Sequence, residues 1–119
     1  MKTSRSLAAL ALLLCGLAAA SSASAAYFCN AKVTGLSVGP DGVVTMQAAP
    51  FNWVFMCATS ATTNDVSPEA CKSLLAVLLT AKTTGSTIQL AFNDALSCTT
   101  HPAWTYLTGW YWGPALLTD

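Results

Sequence analysis

The sequence predicts a small, mainly β domain with one helix, in the order strand, strand, strand, helix, strand, strand. Several short segments alternate apolar and polar residues with a period of two, as half-buried strands do. One longer segment, between the third and fourth of them, has apolar residues at helical spacing. In the first strand the apolar phase slips at a glycine, which is typical of a β-bulge.

Residues 31–47 are predicted to form a hairpin with a bulged first strand. The alternation starts at Ala31 and shifts by one residue after Gly35, so Gly35 is the candidate bulge. The sequence Gly-Pro-Asp-Gly at 39–42 is typical of a turn, because proline and glycine supply its special dihedral angles.

Residues 51–57 are predicted to form the third strand. A period of two places four side chains on one face: Phe51, Trp53, Phe55 and Cys57. The opposite face carries Asn52, Val54 and Met56. Because both faces are fairly apolar, we expect this strand to be central in the sheet or to lie at an interface.

The single helix is predicted to begin after Ser67. Ser67 is a favourable cap, Pro68 suits the first helical position, and Glu69 favours the positive end of the helix dipole. Gly85 is a plausible stop. The helical spacing produces one apolar stripe: Cys71, Leu74, Leu75, Leu78 and Ala81.

The remaining chain is predicted to form a strand at 87–93, a loop at 94–103 and at least one strand within 104–117. One helix between the third and fourth of five strands is the order of the OB-fold, a partly open Greek-key barrel. We therefore predict an OB-fold-like five-stranded barrel. The alternative is a plain α+β domain with one helix on an antiparallel sheet.

The composition limits the classes of function. The chain has 119 residues, of which 8% are charged, against about 25% in an average soluble domain. This length allows one domain and no more. Nucleic-acid binding is not expected, because neutralising phosphates requires a patch of Lys and Arg.

Residues 1–25 are predicted to be a secretory signal peptide. A basic start precedes an apolar run at 7–20 and a stretch of small residues. The run is shorter than the ~20 residues that span a bilayer. We expect cleavage before Ala26 or Tyr27, export by a Sec-type route to the periplasm or the medium, and a single domain at 26–119 without a transmembrane segment.

Removal of the signal peptide leaves three lysines and five acidic residues, a formal charge of −2, together with four cysteines. Cys15 lies in the signal peptide and is predicted to be removed with it. The alternative is that Cys15 is lipidated. An even number of cysteines in a small exported chain predicts disulfides, with three possible pairings. Metal binding is the rival, but the chain has no C-x-x-C pair and one histidine. No metal or cofactor is therefore predicted.

Residues 71–90 resemble the helix-to-strand segment of the B subunits of bacterial AB5 toxins, in particular those of the subtilase-cytotoxin type. The segment reads CKSLLAVLLTAKTTGSTIQL. The helix, the Thr-Gly turn and the cysteines carry this resemblance. It implies an exported OB-fold that assembles into a homo-oligomer and binds glycans. No glycan-binding residue of that family can be matched to this chain.

Among the three pairings we favour Cys57–Cys71 and Cys29–Cys98. The first would join the end of the third strand to the first helical turn. The second would tie the first strand to the loop before the fifth, and it resembles the disulfide of the cholera-like B subunits. In the chain-entropy model these bridges contribute ~3 and ~4 kcal/mol.

No catalytic residue is predicted. A catalytic His101 would need a nucleophile and an orienting carboxylate such as Asp94 or Asp65. Nothing in their spacing favours this, so we interpret His101 as an exposed or cap-forming loop residue. Asp41 and Glu69 already fit a turn and a helix start.

A cluster of aromatic residues near the C-terminus is the most distinctive feature of the sequence. These residues are candidates for a ligand site, for the core or for a subunit interface. They are Trp104, Tyr106, Trp110, Tyr111 and Trp112, with Trp53 earlier in the chain. Trp104 and Tyr106 are predicted to share one strand face, and Trp110 and Trp112 another. The charge of −2 argues against stacking on single-stranded bases.

Our leading hypothesis is an exported binding module similar to a toxin B subunit, homo-oligomeric, that binds a glycan or an exported protein partner. The alternative is a monomeric periplasmic protein with a structural or inhibitory role. A small hydrolase is the third hypothesis.

Overall fold

The computed structural model describes residues 25–118. The predicted signal peptide lies outside the described residues, apart from Ala25. The described chain folds into one five-stranded antiparallel sheet and one helix. The elements are β1 (Tyr27–Val38), β2 (Val43–Ala49), β3 (Phe51–Ala58), α1 (Pro68–Thr84), β4 (Thr87–Phe92) and β5 (Trp110–Leu116). Their succession along the chain is as predicted.

The long strand β1 lies at the centre of the sheet, whose order is β3-β2-β1-β4-β5. The predicted bulge is confirmed, because the register of β1 against β2 shifts between Val33 and Gly35. The predicted turn is also confirmed: the Gly42 amide donates to the Gly39 carbonyl at 2.9 Å. A bulge in a long central strand increases its local bend and twist.

The five strands do not close into a barrel, so this part of the fold prediction is wrong. β3 and β5 lie at opposite edges of the sheet. The free edge of β3 is instead contacted by residues 104–107, which precede β5 and run parallel to β3. The Phe55 amide donates to the Thr105 carbonyl, and the Leu107 amide donates to the Phe55 carbonyl, both at 2.9 Å. β5 begins only at Trp110, beyond this contact.

The central position predicted for the third strand is wrong, because β3 is an edge strand. The alternative, that this strand lies at an interface, stays a prediction. Its register against β2 shifts twice, so the strict alternation breaks. Phe51 and Cys57 are buried with Val54 and Met56, whereas Trp53 and Phe55 are half-buried on the other side. Both faces are apolar because one packs on the core and the other carries the half-buried rings of Trp53 and Phe55.

The helix forms as predicted. The Ser67 hydroxyl accepts a hydrogen bond from the Ala70 amide at 3.2 Å, and Pro68 stands at the start. Gly85 ends the helix in the left-handed conformation, with φ +71°, which costs glycine little. Four members of the predicted stripe are buried: Cys71, Leu74, Leu78 and Ala81. Leu75 is half-buried against the same core.

Both predicted disulfides are confirmed. Cys29–Cys98 joins β1 to the loop before β5, and Cys57–Cys71 joins the end of β3 to α1. The core lies between α1 and the inner side of the sheet, where Met46, Met56 and Leu78 are fully buried. Within residues 25–118, no helix has the length and hydrophobicity needed to cross a lipid bilayer.

Candidate functional site: an aromatic cleft beside the first hairpin

Four aromatic side chains form a continuous row on the outer side of β3. Trp53 and Trp104 stack with ring centroids 5.8 Å apart and planes 15° apart. Phe55 meets Trp104 edge-on at 6.4 Å and Tyr106 edge-on at 5.6 Å. We call Trp53, Phe55, Trp104 and Tyr106 the aromatic row. Such stacked and edge-to-face contacts are the favoured geometries of aromatic pairs.

The backbone holds Trp104 in the row in an unusual conformation. Trp104 has φ +58°, a left-handed value that is uncommon for a bulky residue. Its amide donates to the Trp53 carbonyl at 2.7 Å, and the Thr105 hydroxyl donates to the Pro102 carbonyl at 2.8 Å. The indole remains 61% exposed. Residues held in such conformations cluster at functional sites.

The bulge in β1 makes room for the row. A Cβ atom at Gly35 would lie 2.7 Å from Cη2 of Trp53, closer than real side-chain contacts allow. The indole of Trp53 can therefore lie across the strand only because residue 35 has no side chain. The bulge predicted from the sequence thus has a second role as the floor of the row.

A hollow of about 400 Å³ opens at the Tyr106 end of the row, beside the turn between β1 and β2. We call it the hairpin hollow. It is lined by Ser37, Gly39, Pro40, Asp41, Val43, Thr45, Phe55 and Tyr106. The hollow therefore combines two aromatic rings with three hydroxyl groups, including that of Tyr106, and one carboxylate. The Asp41 carboxylate is oriented by the Val43 amide, which donates to Oδ1 at 3.1 Å.

No family model matches this chain, and neither the curated proteins nor the solved structures contain a match. The resemblance to toxin B subunits therefore stays a prediction.

Three of the residues predicted as ligand contacts belong to the row: Trp53, Trp104 and Tyr106. The rings of Trp104 and Tyr106 lie on one side, where both contact Phe55, but the segment that carries them is not a strand. They lie in the irregular segment 104–107 that pairs with β3. The sequence places Phe55 on a strand face and indicates no functional role for it. The sequence does not indicate the hydroxyl groups of the hollow. A polar residue in a strand gives the same sequence pattern whether it lines a binding site or an ordinary solvent-facing surface.

The other predicted aromatic residues lie on β5, and Trp110 and Trp112 do not share a face. The register of β5 against β4 shifts between Ala91 and Phe92. Trp110 therefore packs on the core, whereas Trp112 meets Phe28 edge-on at 6.4 Å on the outer side. Tyr111 is 55% exposed. Among the described residues, no ring contact joins these side chains to the aromatic row.

His101 belongs to a polar cluster at the start of β1, so its interpretation as an exposed or cap-forming residue is wrong. The Tyr27 hydroxyl donates to Asp94 Oδ1 at 2.5 Å and lies 3.0 Å from His101 Nε2. Because the phenol has one proton, which Asp94 receives, we assign the proton to Nε2 of His101. The imidazole also packs on Phe92, with centroids 4.6 Å apart. This cluster fixes the loop that carries Trp104 and Tyr106.

Burial lowers the pKa of His101, and the nearby Asp94 carboxylate opposes this shift. The folded protein therefore favours the neutral imidazole. Burial, followed by the hydrogen bond to Asp94, raises the pKa of the Tyr27 phenol, so Tyr27 also stays neutral. Among residues 25–118, no group of three or more His, Cys, Asp or Glu side chains is arranged to hold a metal ion.

We expect the stability of the protein to fall as the pH decreases through about 6.5, the usual pKa of histidine in an unfolded chain. Below this pH the unfolded chain binds a proton at His101 that the folded protein binds less readily. Denaturant unfolding between pH 8 and pH 5 measures the effect. A His101→Gln variant serves as the control, and its free energy of unfolding should depend less steeply on pH, because it lacks the titrating imidazole. Equal slopes in both proteins would contradict the role of His101.

Proposed function

We propose that this protein is an exported binding module that takes glycans in the cleft formed by the aromatic row and the hairpin hollow. One observation carries the proposal: a row of rings, one of them largely exposed, leads into a hollow that also offers hydroxyl and carboxylate groups. Small-molecule sites are concave, mainly apolar and equipped with a few polar groups, in volumes of about 300–1,000 Å³.

The chemistry of a sugar matches the two halves of this cleft. The C–H face of a pyranose ring is apolar and suits the rings of Phe55 and Tyr106. Its hydroxyl groups suit Ser37, Thr45 and Asp41, which line the other side. A second sugar unit would then lie beside the exposed Trp104.

The proposal includes an OB-fold-like architecture and a similarity to AB5 toxin B subunits. The helix between β3 and β4 and the segment 104–107 beside β3 support the architecture. OB-folds take oligosaccharides on the face of strands 2 and 3, where the cleft lies. The two disulfides are compatible with an exported protein. We propose binding without turnover.

Tryptophan fluorescence tests the proposal directly, because Trp53 and Trp104 lie beside the hollow. The oxidised protein, purified after export of the full chain, is titrated with a panel of neutral oligosaccharides. At least one should change the emission in a saturable way. The Tyr106→Ala variant should then bind about tenfold more weakly, a loss of about 1.4 kcal/mol, because the sugar loses one aromatic wall.

Tyr111→Ala is the matched control, since Tyr111 is an exposed tyrosine on β5, away from the row. It should bind sugars as the unmodified protein does. Near-ultraviolet circular dichroism verifies that both variants are folded. The proposal fails if no oligosaccharide changes the emission, or if both variants lose affinity equally.

A second candidate function is assembly or protein binding through the other side of the molecule. A hollow of about 510 Å³ lies between α1 and β5 and is lined partly by Leu74, Val77, Trp110 and Pro114. Tyr111, Trp112 and Leu116 are exposed on β5, and such apolar surface often marks interfaces. Light scattering on a sizing column tests this. A mass near five subunits supports a toxin-like ring, and a monomer removes it.

A further inference from the structure

We propose that the hairpin hollow selects neutral oligosaccharides and rejects sialylated and other anionic glycans. This inference rests on the proposed glycan-binding function and names the class of ligand for the same site. It follows from where the charges of the molecule lie.

No cationic side chain of the described residues lines the hairpin hollow. Lys32 alternates with the buried Ala31 and Val33, so it leaves β1 on the outer side of the sheet. Lys32 donates to the Gly85 carbonyl at 2.6 Å, and Lys82 donates to the Thr34 carbonyl at 3.1 Å. Both ammonium groups thus contact main-chain oxygens near the C-terminal end of α1. Lys72 also belongs to α1. None of these three lysines lines the hollow, whose lining contains neither lysine nor arginine.

The sheet separates the two lysines of α1 from the aromatic row. Leu74 and Leu78 of α1 pack on the core with Val54 and Met56 of β3. Trp53 and Phe55 alternate with these core residues and lie on the opposite side of the strand. A ligand on the aromatic row therefore lies across the sheet from α1 and its two lysines.

Asp41 is the only residue with a formal charge among those that line the hollow. Its Oδ1 atom accepts a hydrogen bond from the Val43 amide, so the carboxylate is held in the turn. Gly39 allows this geometry, since a Cβ atom there would lie 2.7 Å from Oδ1. A carboxylate accepts hydrogen bonds from sugar hydroxyl groups. It repels a second carboxylate, and the hollow provides no cation to offset the repulsion.

The row also favours an oligosaccharide over a single sugar. It continues from Phe55 and Tyr106 at the hollow to Trp104 and Trp53 beyond it. An additional sugar unit can therefore stack on the exposed ring of Trp104 outside the hollow. Affinity for a neutral ligand should increase with its length, up to the number of units that the row can contact.

The experiment compares each neutral oligosaccharide with its sialylated counterpart, for example lacto-N-tetraose with sialyl-lacto-N-tetraose and lactose with sialyllactose. Titration calorimetry at physiological salt measures the affinities. We expect each sialylated member to bind at least about tenfold more weakly, since like charges placed together oppose binding strongly. The Asp41→Asn variant should narrow this ratio and bind the neutral member several-fold more weakly.

Asp65→Asn is the matched control, because it removes the same charge from an exposed residue in the loop before α1. It should leave the ratio unchanged. Equal effects of the two substitutions would overturn the role of Asp41. The selectivity would then arise from the net charge of the protein and not from the position of this carboxylate. A sialylated glycan that binds as tightly as its neutral counterpart contradicts the proposed selectivity. If Tyr106→Ala weakens the binding of that glycan, the proposed glycan-binding function still holds. If no glycan binds, both proposals fall.

Discussion

Removal of the Cys29–Cys98 disulfide is expected to lower the free energy of unfolding by about 4 kcal/mol. The bridge closes a loop between residues 69 positions apart in the sequence. Its loss gives the unfolded chain much additional conformational freedom. The measurement is denaturant unfolding of a Cys29→Ala/Cys98→Ala variant under oxidising conditions. A loss of this size is a large part of the ~5–15 kcal/mol that stabilises a typical domain.

The Cys57→Ala/Cys71→Ala variant is the matched control, because its bridge spans 14 positions and should contribute about 3 kcal/mol. A larger loss in this control would show that packing of the fully buried Cys57 and Cys71 outweighs loop closure. The Cys29–Cys98 variant should also bind sugars more weakly. Cys98 belongs to the loop that carries Trp104 and Tyr106, so the bridge anchors that loop to β1.

Substitution of Gly109 by alanine is the second large effect that we expect, with a loss of about 3 kcal/mol. Gly109 has φ +80°, a conformation that favours glycine. A Cβ atom there would also lie 2.3 Å from Oδ2 of Asp94. The carboxylate would have to move, and its hydrogen bonds from Tyr27 and the Leu96 amide would be lost. Thermal or denaturant unfolding measures the loss.

A double-mutant cycle with Asp94→Ala separates the two causes. Without the carboxylate, the Gly109→Ala substitution should cost only the backbone strain, about 1 kcal/mol. The two substitutions should therefore be non-additive by at least 1 kcal/mol, as expected for groups in direct contact. Strict additivity would mean that the cost arises from the backbone alone.

The features that the sequence predicts correctly are those that depend on neighbouring residues. Ser67 caps the helix through an amide three residues away, and Gly85 ends it through its own backbone conformation. The bulge at Gly35 follows from the local phase of the apolar residues. Such interactions require no knowledge of the rest of the fold. The cysteine pairs, by contrast, are predicted from the order of the elements and from the resemblance to toxin B subunits.

The features that the sequence does not predict depend on contacts between distant segments. Trp104 adopts a positive φ because residues 104–107 lie beside β3, about 50 positions earlier in the chain. No local pattern around Trp104 indicates this contact. The same holds for the hollow, where the β1–β2 turn meets Tyr106. The His101 cluster likewise joins Tyr27 and Asp94 across most of the domain.

The segment that covers the edge of β3 has a consequence for aggregation. An open sheet exposes rows of unpaired amide and carbonyl groups at its edges, where the strands of other molecules can add. In this protein residues 104–107 occupy one edge. The other edge, β5, contains Pro114, which has no amide hydrogen, next to Gly113 at φ +96°. Neither edge presents a regular template to a neighbouring chain, so the protein should resist edge-to-edge polymerisation at high concentration.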